Sequence, residues 1–512
     1  MLFYHIILIG IKSLKNMKPS KLTISIKNGL IDSINQSEVT EIIIDGASNR
    51  FVSAYAIPGI VDAHAHIIGL GENLNTIRLE KAKSKDELIQ LVKEIDVKDG
   101  WITGRGWNEE SWGNKDLHRL DLDAISSERP IFLVRVDGHA AWVNSKALEL
   151  SEINKYTANP NGGTIQIDAE GNPTGLLIDN AIELVRDNIP KASNELIKKY
   201  VLDACYECLR NGITEVHDMD VHLDHLKVYK ELDNDNLLPI RLVQYIRGFD
   251  GEYKRLQSHP YSGNNLQIIG LKFYADGALG SRGALMIDKY NDADTYGLEL
   301  ISTDELYEQA SEGCDNGWDI AVHAIGDKAN RNVLDVYQRL RSDGYENILR
   351  IEHSQLVNPD DIKRFSDLNV FASVQPIHCT SDKNMAIKRL GENYNFAYPW
   401  KTLHKTGAKL IAGSDFPIES HNPFFGIDAF VNRRAINEEI TWQKEETLSL
   451  EDALNSYCYT PHLATGNSNS GSLELGKRAD ITIIDNELRQ SNTIRNTKVI
   501  ATITNGKLTK HL

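Results

Sequence analysis

Short apolar runs alternate with amphipathic stretches through the middle of the chain, a pattern typical of strands and helices around a parallel sheet. Eight of these runs have the length of a β-strand. They are Ile57–Ala63, Ile213–His217, Ile240–Tyr245, Ile268–Tyr274, Asp319–His323, Leu349–His353, Val370–Val374 and Lys409–Ala412. Since eight parallel strands close a barrel, we predict an α/β fold with a (β/α)8, TIM-like barrel.

Both ends of the chain consist instead of short β segments separated by turns such as Asn-Gly and Asp-Gly. These segments are Phe3–Ile11, Leu22–Lys27, Leu30–Ile34 and Glu41–Ile44 near the start, and Ala479–Asp485 and Lys498–Thr504 near the end. We therefore expect residues 1–57 and 468–512 to meet in one small β domain, and residues 58–467 to form the barrel.

The interval between the first two predicted strands is unusually long. It runs from about residue 69 to 195, whereas a βα loop usually has about two to six residues. It also contains strand-like and turn-rich segments of its own, Trp101–Trp107, Ile131–Asp137 and Asn159–Gly163. The sequence therefore predicts a large folded insertion after the first barrel strand.

Composition and charge narrow the set of partners. The formal net charge of −16 and the pI near 5.5 argue against nucleic acid, because phosphate binding draws on clustered Lys and Arg. No run reaches the roughly 18 apolar residues of a membrane span. Five irregularly spaced cysteines do not form a disulfide framework. We expect a cytoplasmic protein with a small-molecule substrate, and we leave self-association as a homodimer open.

Residue types that bind metals stand at five predicted strand ends, where barrels of this kind build their active sites. Strand alternation also points residues two apart to the same side, so the His-x-His after the first strand forms a pair. The residues are His64 and His66 at the first strand, Lys272 at the fourth, His323 at the fifth, His353 at the sixth and Asp415 at the eighth. Each histidine alone would more often be structural, but together they indicate a metal centre.

The ligand types indicate the class of metal. Imidazoles with a carboxylate and no cysteine suit Zn²⁺, Mn²⁺, Fe²⁺ or Co²⁺ in an open site that holds water. Two such ions about 3.5–4 Å apart can activate a shared water. Lys272 suits the site only if carbon dioxide adds to its neutral amine, since the resulting carbamate can bridge two ions. Spacing alone leaves an equal alternative, a buried Lys272 paired with Asp276 or Asp415.

The order of these residues resembles the amidohydrolase superfamily of metal-dependent hydrolases. Within it the chain is similar to the amidohydrolase 3 group, which includes YtcJ-like proteins and N-substituted formamide deformylases. The resemblance covers nearly the whole chain. Its motifs are Pro58–His66, Gly104–Asn108, Asp137–Ser145, Lys272–Arg282, His323–Asp327, Glu352–His353, Gln375–Pro376 and Gly413–Pro417.

This resemblance implies a barrel with a β-sandwich built from both chain ends. It also implies one metal on His64, His66 and Asp415, a second on His323 and His353, and a carboxylated Lys272 between them. Two Zn(II) ions are the expected cofactor, with Mn, Fe or Co as alternatives. A one-metal site stays open, because the metal count varies within the family.

The expected function is hydrolysis of a carbon–nitrogen bond other than a peptide bond, in a small amide or N-substituted formamide, by a metal-activated hydroxide. Asp415 would take the proton of the attacking water and pass it to the departing nitrogen. One alternative is a deaminase or cyclic amidohydrolase, and a single-metal deaminase would leave Lys272 outside the metal shell. Another is a non-catalytic binding or regulatory protein, which the intact set of ligand types disfavours.

Substrate contacts are expected from two regions. We expect the insertion to roof the pocket, with packing inside the insertion as an equal alternative for its residues. The candidates there are Trp107 at a Gly-rich turn and Asp137 and His139 after an apolar strand. The candidates near the strand ends are His217 at the end of the second strand, His378 after the seventh, and Asp276 and Arg282 after the fourth. Arg282 would favour an acidic substrate unless it caps backbone carbonyls.

Overall fold

The computed structural model describes residues 22–94, 100–112, 116–248, 251–256, 260–435, 438, 440–488 and 493–511. The predicted strand Phe3–Ile11 lies outside these residues. The chain divides into one compact unit of Met1–Gly71 with Ile197–Leu512 and another of Glu72–Leu196.

A sheet of eight parallel strands forms the centre of the first unit. Barrel strands 1 to 8, numbered in chain order, are Ile60–Ala65, Ile213–Val221, Arg241–Arg247, Leu266–Tyr274, Asp319–Ala324, Leu349–His353, Val370–Val374 and Lys409–Ala412. Each strand pairs in parallel with the next one in the chain. A short strand, Tyr261–Ser262, pairs antiparallel with barrel strand 4. The predicted α/β barrel is confirmed.

Hydrogen bonds after barrel strand 8 bring it against barrel strand 1 and nearly close the ring. The Asp415 N–H donates to the His64 carbonyl at 2.8 Å, and the His66 N–H donates to the Phe416 carbonyl at 3.0 Å. Asp62 braces the same seam, since its carboxylate accepts the Ser414 N–H at 3.0 Å and the Ser414 hydroxyl at 2.6 Å. Closure therefore places the ligand types of the first and last strands side by side.

Helices follow most of the barrel strands. The helix Asp327–Ser342 is typical, because it buries one apolar face that includes Val333, Leu334 and Tyr337. Ser302 caps another helix by accepting the Glu305 N–H. The helices of this unit are Ile67–Asn75, Asn194–Arg210, Leu226–Asn234, Thr303–Asp315, Asp327–Ser342, Ile362–Asp367, Pro376–Leu390, Trp400–Lys405, Pro423–Asn432, Leu450–Cys458 and Thr460–Leu463, the first two of which cross into the second unit.

Two four-stranded sheets from the chain ends form the predicted β-sandwich. One has the order Leu30–Gln36, Leu22–Lys27, Thr40–Ile44, Ala47–Phe51, and the other has the order Lys507–Lys510, Val499–Thr504, Ile481–Ile484, Tyr55–Pro58. Isoleucines from both sheets share one core, among them Ile24, Ile42, Ile481 and Ile503.

The boundary predicted for the first barrel strand was wrong. Residues 55–58 pair with Ile481–Ile484 in the sandwich, and the barrel strand begins only at Ile60. Gly59 separates the two, and a Cβ there would lie 2.4 Å from the Thr214 hydroxyl oxygen. One apolar run in the sequence is thus divided between two sheets.

The second unit is a six-stranded sheet with its own helices, which confirms the predicted insertion. The strand order is Gly163–Ile167, Pro173–Asp179, Ala140–Val143, Ile131–Arg135, Ile102–Trp107, Ile77–Arg78. The helices that lie wholly within this unit are Lys85–Lys93, Arg119–Asp123, Ser145–Leu150 and Glu183–Arg186. Trp107, Trp112 and Trp142 pack in one buried cluster of this unit. Across the described parts of the whole chain, no helix combines the length and apolar character needed to cross a membrane.

Candidate metal centre

The predicted ligands meet at the carboxyl ends of the barrel strands. His64 Nε2 and His66 Nε2 lie 3.6 Å and 3.2 Å from Asp415 Oδ1. The ring centre of His353 is 4.9 Å from that of His64 and 4.4 Å from that of His323. Five of the six predicted ligands therefore form one cluster of imidazoles around a carboxylate.

Lys272 joins this cluster through its aromatic neighbour. Its Nζ lies 4.5 Å from the centre of the Tyr274 ring, and that ring is 5.3 Å from the ring of His323. Within the described chain, Nζ forms no hydrogen bond. Lys272 also forms no ion pair with Asp276 or Asp415, so the ion-paired lysine considered from the sequence is not what the structure contains.

Two groups of ligand atoms lie close enough to hold an ion. Among the described residues, donor atoms of His64, His66 and Asp415 lie within 4.8 Å of one another, and so do those of His353, His378 and Asp415. Asp415 thus belongs to both groups. The second group contains His378, which the sequence suggested only as a substrate contact, in place of His323.

Each of three imidazoles is anchored through its Nδ1 atom. His64 Nδ1 lies 2.5 Å from Glu352 Oε2, His66 Nδ1 lies 3.0 Å from the Met219 carbonyl oxygen, and His353 Nδ1 lies 2.7 Å from Gln375 Oε1. All three partners are acceptors, so the hydrogen-bond network assigns the proton to Nδ1. The Nε2 lone pair of each ring is then available for a metal.

Three buried nitrogen atoms of the cluster lack a hydrogen bond in the described structure. They are Lys272 Nζ, His323 Nε2 and His378 Nε2. His323 Nε2 faces Asp276 Oδ1 at 3.4 Å without hydrogen-bond geometry. Buried polar atoms are nearly always bonded in folded proteins. Three such nitrogens in one cluster therefore fit a bound cofactor, and the nitrogen and oxygen donors fit a divalent metal ion.

Burial and neighbouring groups shift the pKa values of the cluster towards the protonation states that a metal site requires. Burial lowers the pKa of His323 to about 3, so its imidazole is neutral at neutral pH. Burial also lowers the pKa of Lys272 to about 8, so a minor fraction of its amine is neutral there. Burial alone would raise the pKa of Asp415, but the imidazoles of His66 and His64 beside it hold that pKa well below its usual range. Asp415 is therefore ionised at neutral pH.

Asp276 supports the loops around the site. Its carboxylate accepts the N–H groups of Leu285, Ile325 and Gly326 at 2.8–3.0 Å. The side chain is fully buried, and burial raises its pKa to about 7. Its oxygens are occupied by backbone donors, which favours a role in loop positioning over substrate contact.

The other strand-end candidates have different surroundings. The sequence placed His217 at the end of barrel strand 2, but the strand continues to Val221. His217 is fully buried, with Nδ1 2.9 Å from Arg350 Nη1 and Nε2 3.3 Å from Glu215 Oε1. Arg282 forms an ion pair with Asp292 at 3.0 Å rather than capping carbonyls.

The insertion candidates lie within the second unit. Trp107 is fully buried, and its indole N–H donates to the Leu133 carbonyl at 2.8 Å, which fits the packing alternative. Asp137 pairs with Arg135 at 2.7 Å, and His139 Nδ1 lies 2.9 Å from Asp179 Oδ1. Asp137 and His139 are exposed, and their role in substrate binding stays a prediction.

Two buried charges next to the site were given no role from the sequence, although one of them, Glu352, stands in a family motif. Glu352 and Arg350 have no exposed surface, and Arg350 Nε donates to Glu352 Oε1 at 2.7 Å. Burial alone would raise the pKa of Glu352, but Arg350 and His64 hold it well below its usual range. The sequence did contain a signal for these two residues, because Arg350 and Glu352 alternate with apolar residues in the strand Leu349–His353.

Comparison with known proteins accounts for this arrangement. The model of the amidohydrolase family matches residues 54–509, which is most of the chain. The chain belongs to the amidohydrolase family. The resemblance seen in the sequence is thereby confirmed. The metal-binding residue types at the strand ends therefore belong to a chain of a hydrolase family.

Individual relatives of known sequence or structure are consistent with membership of this family. The protein YtcJ of Bacillus subtilis (strain 168) is 31% identical over 90% of this chain and 88% of its own. An N-substituted formamide deformylase of Arthrobacter pascens is 24% identical over 88% of each chain. An uncharacterized metal-dependent hydrolase from Pyrococcus furiosus is 30% identical, covers 91% of this chain and 98% of its own, and superposes with a TM-score of 0.76.

Proposed function

We propose that this protein hydrolyses a carbon–nitrogen bond other than a peptide bond in a small amide or N-substituted formamide. The proposal includes two divalent ions, with Zn²⁺ as first choice, held by the strand-end residues, and a carboxylated Lys272 between them. The observation that carries it is the set of unpaired nitrogens of Lys272, His323 and His378 beside the His64–His66–Asp415 group.

Family membership and the deformylase relative support the bond type. In the proposal, His64, His66 and Asp415 hold one ion, and His353 and His323 hold the other, with His378 close to the second. When bound, the metal lowers the pKa of a water molecule and draws charge from the substrate carbonyl oxygen.

The proposal assigns proton transfer to Asp415. Its Oδ1 faces His64 and His66, while its Oδ2 lies 3.8 Å from His378 Nε2. As an ionised carboxylate it can accept the proton of the attacking water and return it to the nitrogen as the carbon–nitrogen bond breaks. The products are then a carboxylic acid and an amine.

Lys272 supplies the bridging group in this proposal. A pKa of about 8 leaves a useful fraction of the amine neutral near pH 7.5. The neutral amine attacks carbon dioxide, loses one proton and becomes a carbamate with two metal-binding oxygens. The unpaired Nζ supports this assignment, because a carbamate would give the buried group its missing partners.

Product release from the zinc-loaded full-length protein tests the proposal. The panel consists of N-substituted formamides, N-acyl amines, carbamates, cyclic amides and aminated heterocycles, assayed for formate, amine and ammonia. We expect formate or another acid to appear in equal amounts with an amine. A metal-stripped sample is the matched control.

Other outcomes separate the alternatives. Ammonia released from a ring carbon would identify a deaminase, and ring opening without release would identify a cyclic amidohydrolase. Either result would overturn the proposed bond type. A fully metal-loaded protein that turns over no member of the panel would favour a binding or regulatory role.

A further inference from the structure

The three anchored imidazoles differ in the charge of the group behind them. His64 is backed by the carboxylate of Glu352 at 2.5 Å. His66 is backed by a neutral backbone carbonyl, and His353 by the neutral amide of Gln375. A carboxylate behind a metal-binding imidazole raises the basicity of the ring more than a neutral acceptor does.

Glu352 is held in place by a fully buried ion pair. Arg350 Nε donates to Glu352 Oε1 at 2.7 Å, and Arg350 Nη2 donates to Glu352 Oε2 at 3.1 Å. Neither side chain has exposed surface. This two-point contact fixes the plane of the carboxylate and aims Oε2 at His64.

Arg350 is itself anchored to several barrel strands. Its Nη2 donates to the Ala63 carbonyl at 2.7 Å and to the Ser373 hydroxyl at 3.2 Å. Its Nη1 lies 2.9 Å from His217 Nδ1, and its guanidinium lies 4.8 Å from the centre of the Tyr245 ring. These contacts reach strands 1, 2, 3 and 7 from strand 6. Glu352 therefore rests on a support that is part of the barrel itself.

We propose that Glu352 is a positioning residue that makes the His64–His66–Asp415 group the tighter of two metal positions. The inference rests on the proposed two-metal function. Glu352 holds the Nδ1–H form of His64, directs Nε2 at the ion, and adds negative charge behind that ligand. At the other position, the ring of His353 has only the neutral amide of Gln375 behind it.

Metal titration tests the inference without measuring catalysis. Full-length apoprotein is titrated with Zn²⁺ in competition with a chromophoric chelator, for the wild type and for Glu352→Gln. The wild type is expected to bind in two resolved steps. Glu352→Gln is expected to weaken the tighter step by about 10–100-fold and the weaker step by less than about threefold.

Gln375→Ala is the control at the other position, since it removes the neutral acceptor behind His353 and leaves Glu352 in place. We expect it to weaken the second step and leave the first within about threefold. Equal losses in both steps of Glu352→Gln, or an unchanged tighter step, would overturn the inference. If Glu352→Gln does not fold, Glu352→Asp replaces it, because its shorter side chain withdraws the carboxylate from His64 and must also weaken the tighter step alone.

Failure of the inference differs from failure of the proposed function. Turnover of the amide panel with unchanged metal affinity in Glu352→Gln refutes the positioning role alone. Two ordered binding steps that respond as expected, with no turnover of any panel member, refute the proposed reaction while the positioning role stands.

Discussion

The carboxylate of Asp415 faces histidines on both sides. Oδ1 points towards His64 and His66, and Oδ2 points towards His378. A neutral amide of the same size can keep one oxygen ligand for a metal, but it cannot accept a proton from water. Substitution at this position therefore separates metal binding from proton transfer.

We predict that Asp415→Asn lowers kcat by about 10²–10⁴-fold, the usual contribution of a general base. At least one metal equivalent should remain, because His64 and His66 are unchanged. Steady-state kinetics and metal analysis on the same preparation check both statements. Turnover within a few-fold of wild type would remove Asp415 from the proton-transfer role.

Lys272 makes stability depend on pH in a definite direction. Its pKa in the folded protein is about 8, lowered by burial from an ordinary value of 10.5. Between these values the unfolded chain binds more protons than the folded one, so the stability of the fold rises with pH. Below the lower value, the folded state bears the cost of a buried ammonium.

We predict that the advantage of wild type over Lys272→Met in the free energy of unfolding grows between about pH 7.5 and pH 9.5. Denaturant unfolding of both metal-free proteins in buffer without carbon dioxide measures it. Methionine is close to lysine in size and does not titrate. The difference in the free energy of unfolding between the two proteins therefore removes the contribution of all other titrating groups. A difference in the free energy of unfolding that stays constant across this range would show that burial does not lower the pKa of Lys272.

At the residue scale, the sequence predicted ligand types but not how they are supported. His64, His66 and Asp415 could be found because each follows an apolar run at a strand end. The role of Glu352 could not be predicted, because His353 has a φ of 74°, which interrupts the alternation of the strand. Two neighbouring residues can therefore both contribute to the site, and regular alternation does not predict that.

At the scale of elements, the seam between barrel strands 1 and 8 determines the spacing of the first metal group. Gly413 lies at this seam, and a Cβ added there would be 2.3 Å from the His64 backbone nitrogen. No real Cβ contact is that short, so one strand would have to move. Movement at this point separates His64 from Asp415.

We predict that Gly413→Ala costs about 1–3 kcal/mol in the free energy of unfolding, as overpacking does. Its affinity for metal should also fall. The matched control is Gly280→Ala, since the nearest atom to a Cβ there is Met385 Cε at 3.9 Å. Thermal unfolding and metal titration of both variants measure the two effects. Equal stability and equal metal affinity of the two variants would show that the seam does not determine the geometry of the metal site.

The eight barrel strands could be predicted because each is a short apolar run between amphipathic stretches. Their ends were less predictable. Pro58 and Ile60 belong to different sheets although they stand two apart. Strand 2 continues beyond His217 through Asp218 and Asp220, whose polar side chains hid the strand in the sequence. Tertiary pairing, rather than local pattern, fixes both boundaries.

At the scale of the whole molecule, the chain contains more than one hydrophobic core. Glu72–Leu196 has a cluster around Trp107, Trp112 and Trp142, and a second one that includes Phe132 and Val143. A unit with its own sheet and its own core can in general fold alone.

We predict that residues 72–196, expressed as a fragment, unfold cooperatively. Near-ultraviolet circular dichroism from the buried tryptophans during thermal unfolding measures this transition. A fragment without a near-ultraviolet signal or without a cooperative transition would show that the insertion depends on the rest of the chain.

The central claim is that the strand-end cluster is a metal centre, and metal content tests it most directly. The full-length protein is saturated with Zn²⁺, dialysed against metal-free buffer and analysed by mass spectrometry, beside a variant with His64 and His66 both replaced by alanine. We predict about two equivalents per chain in the wild type and about one or fewer in the variant. Less than about one equivalent in the wild type, or equal content in both proteins, would contradict the account.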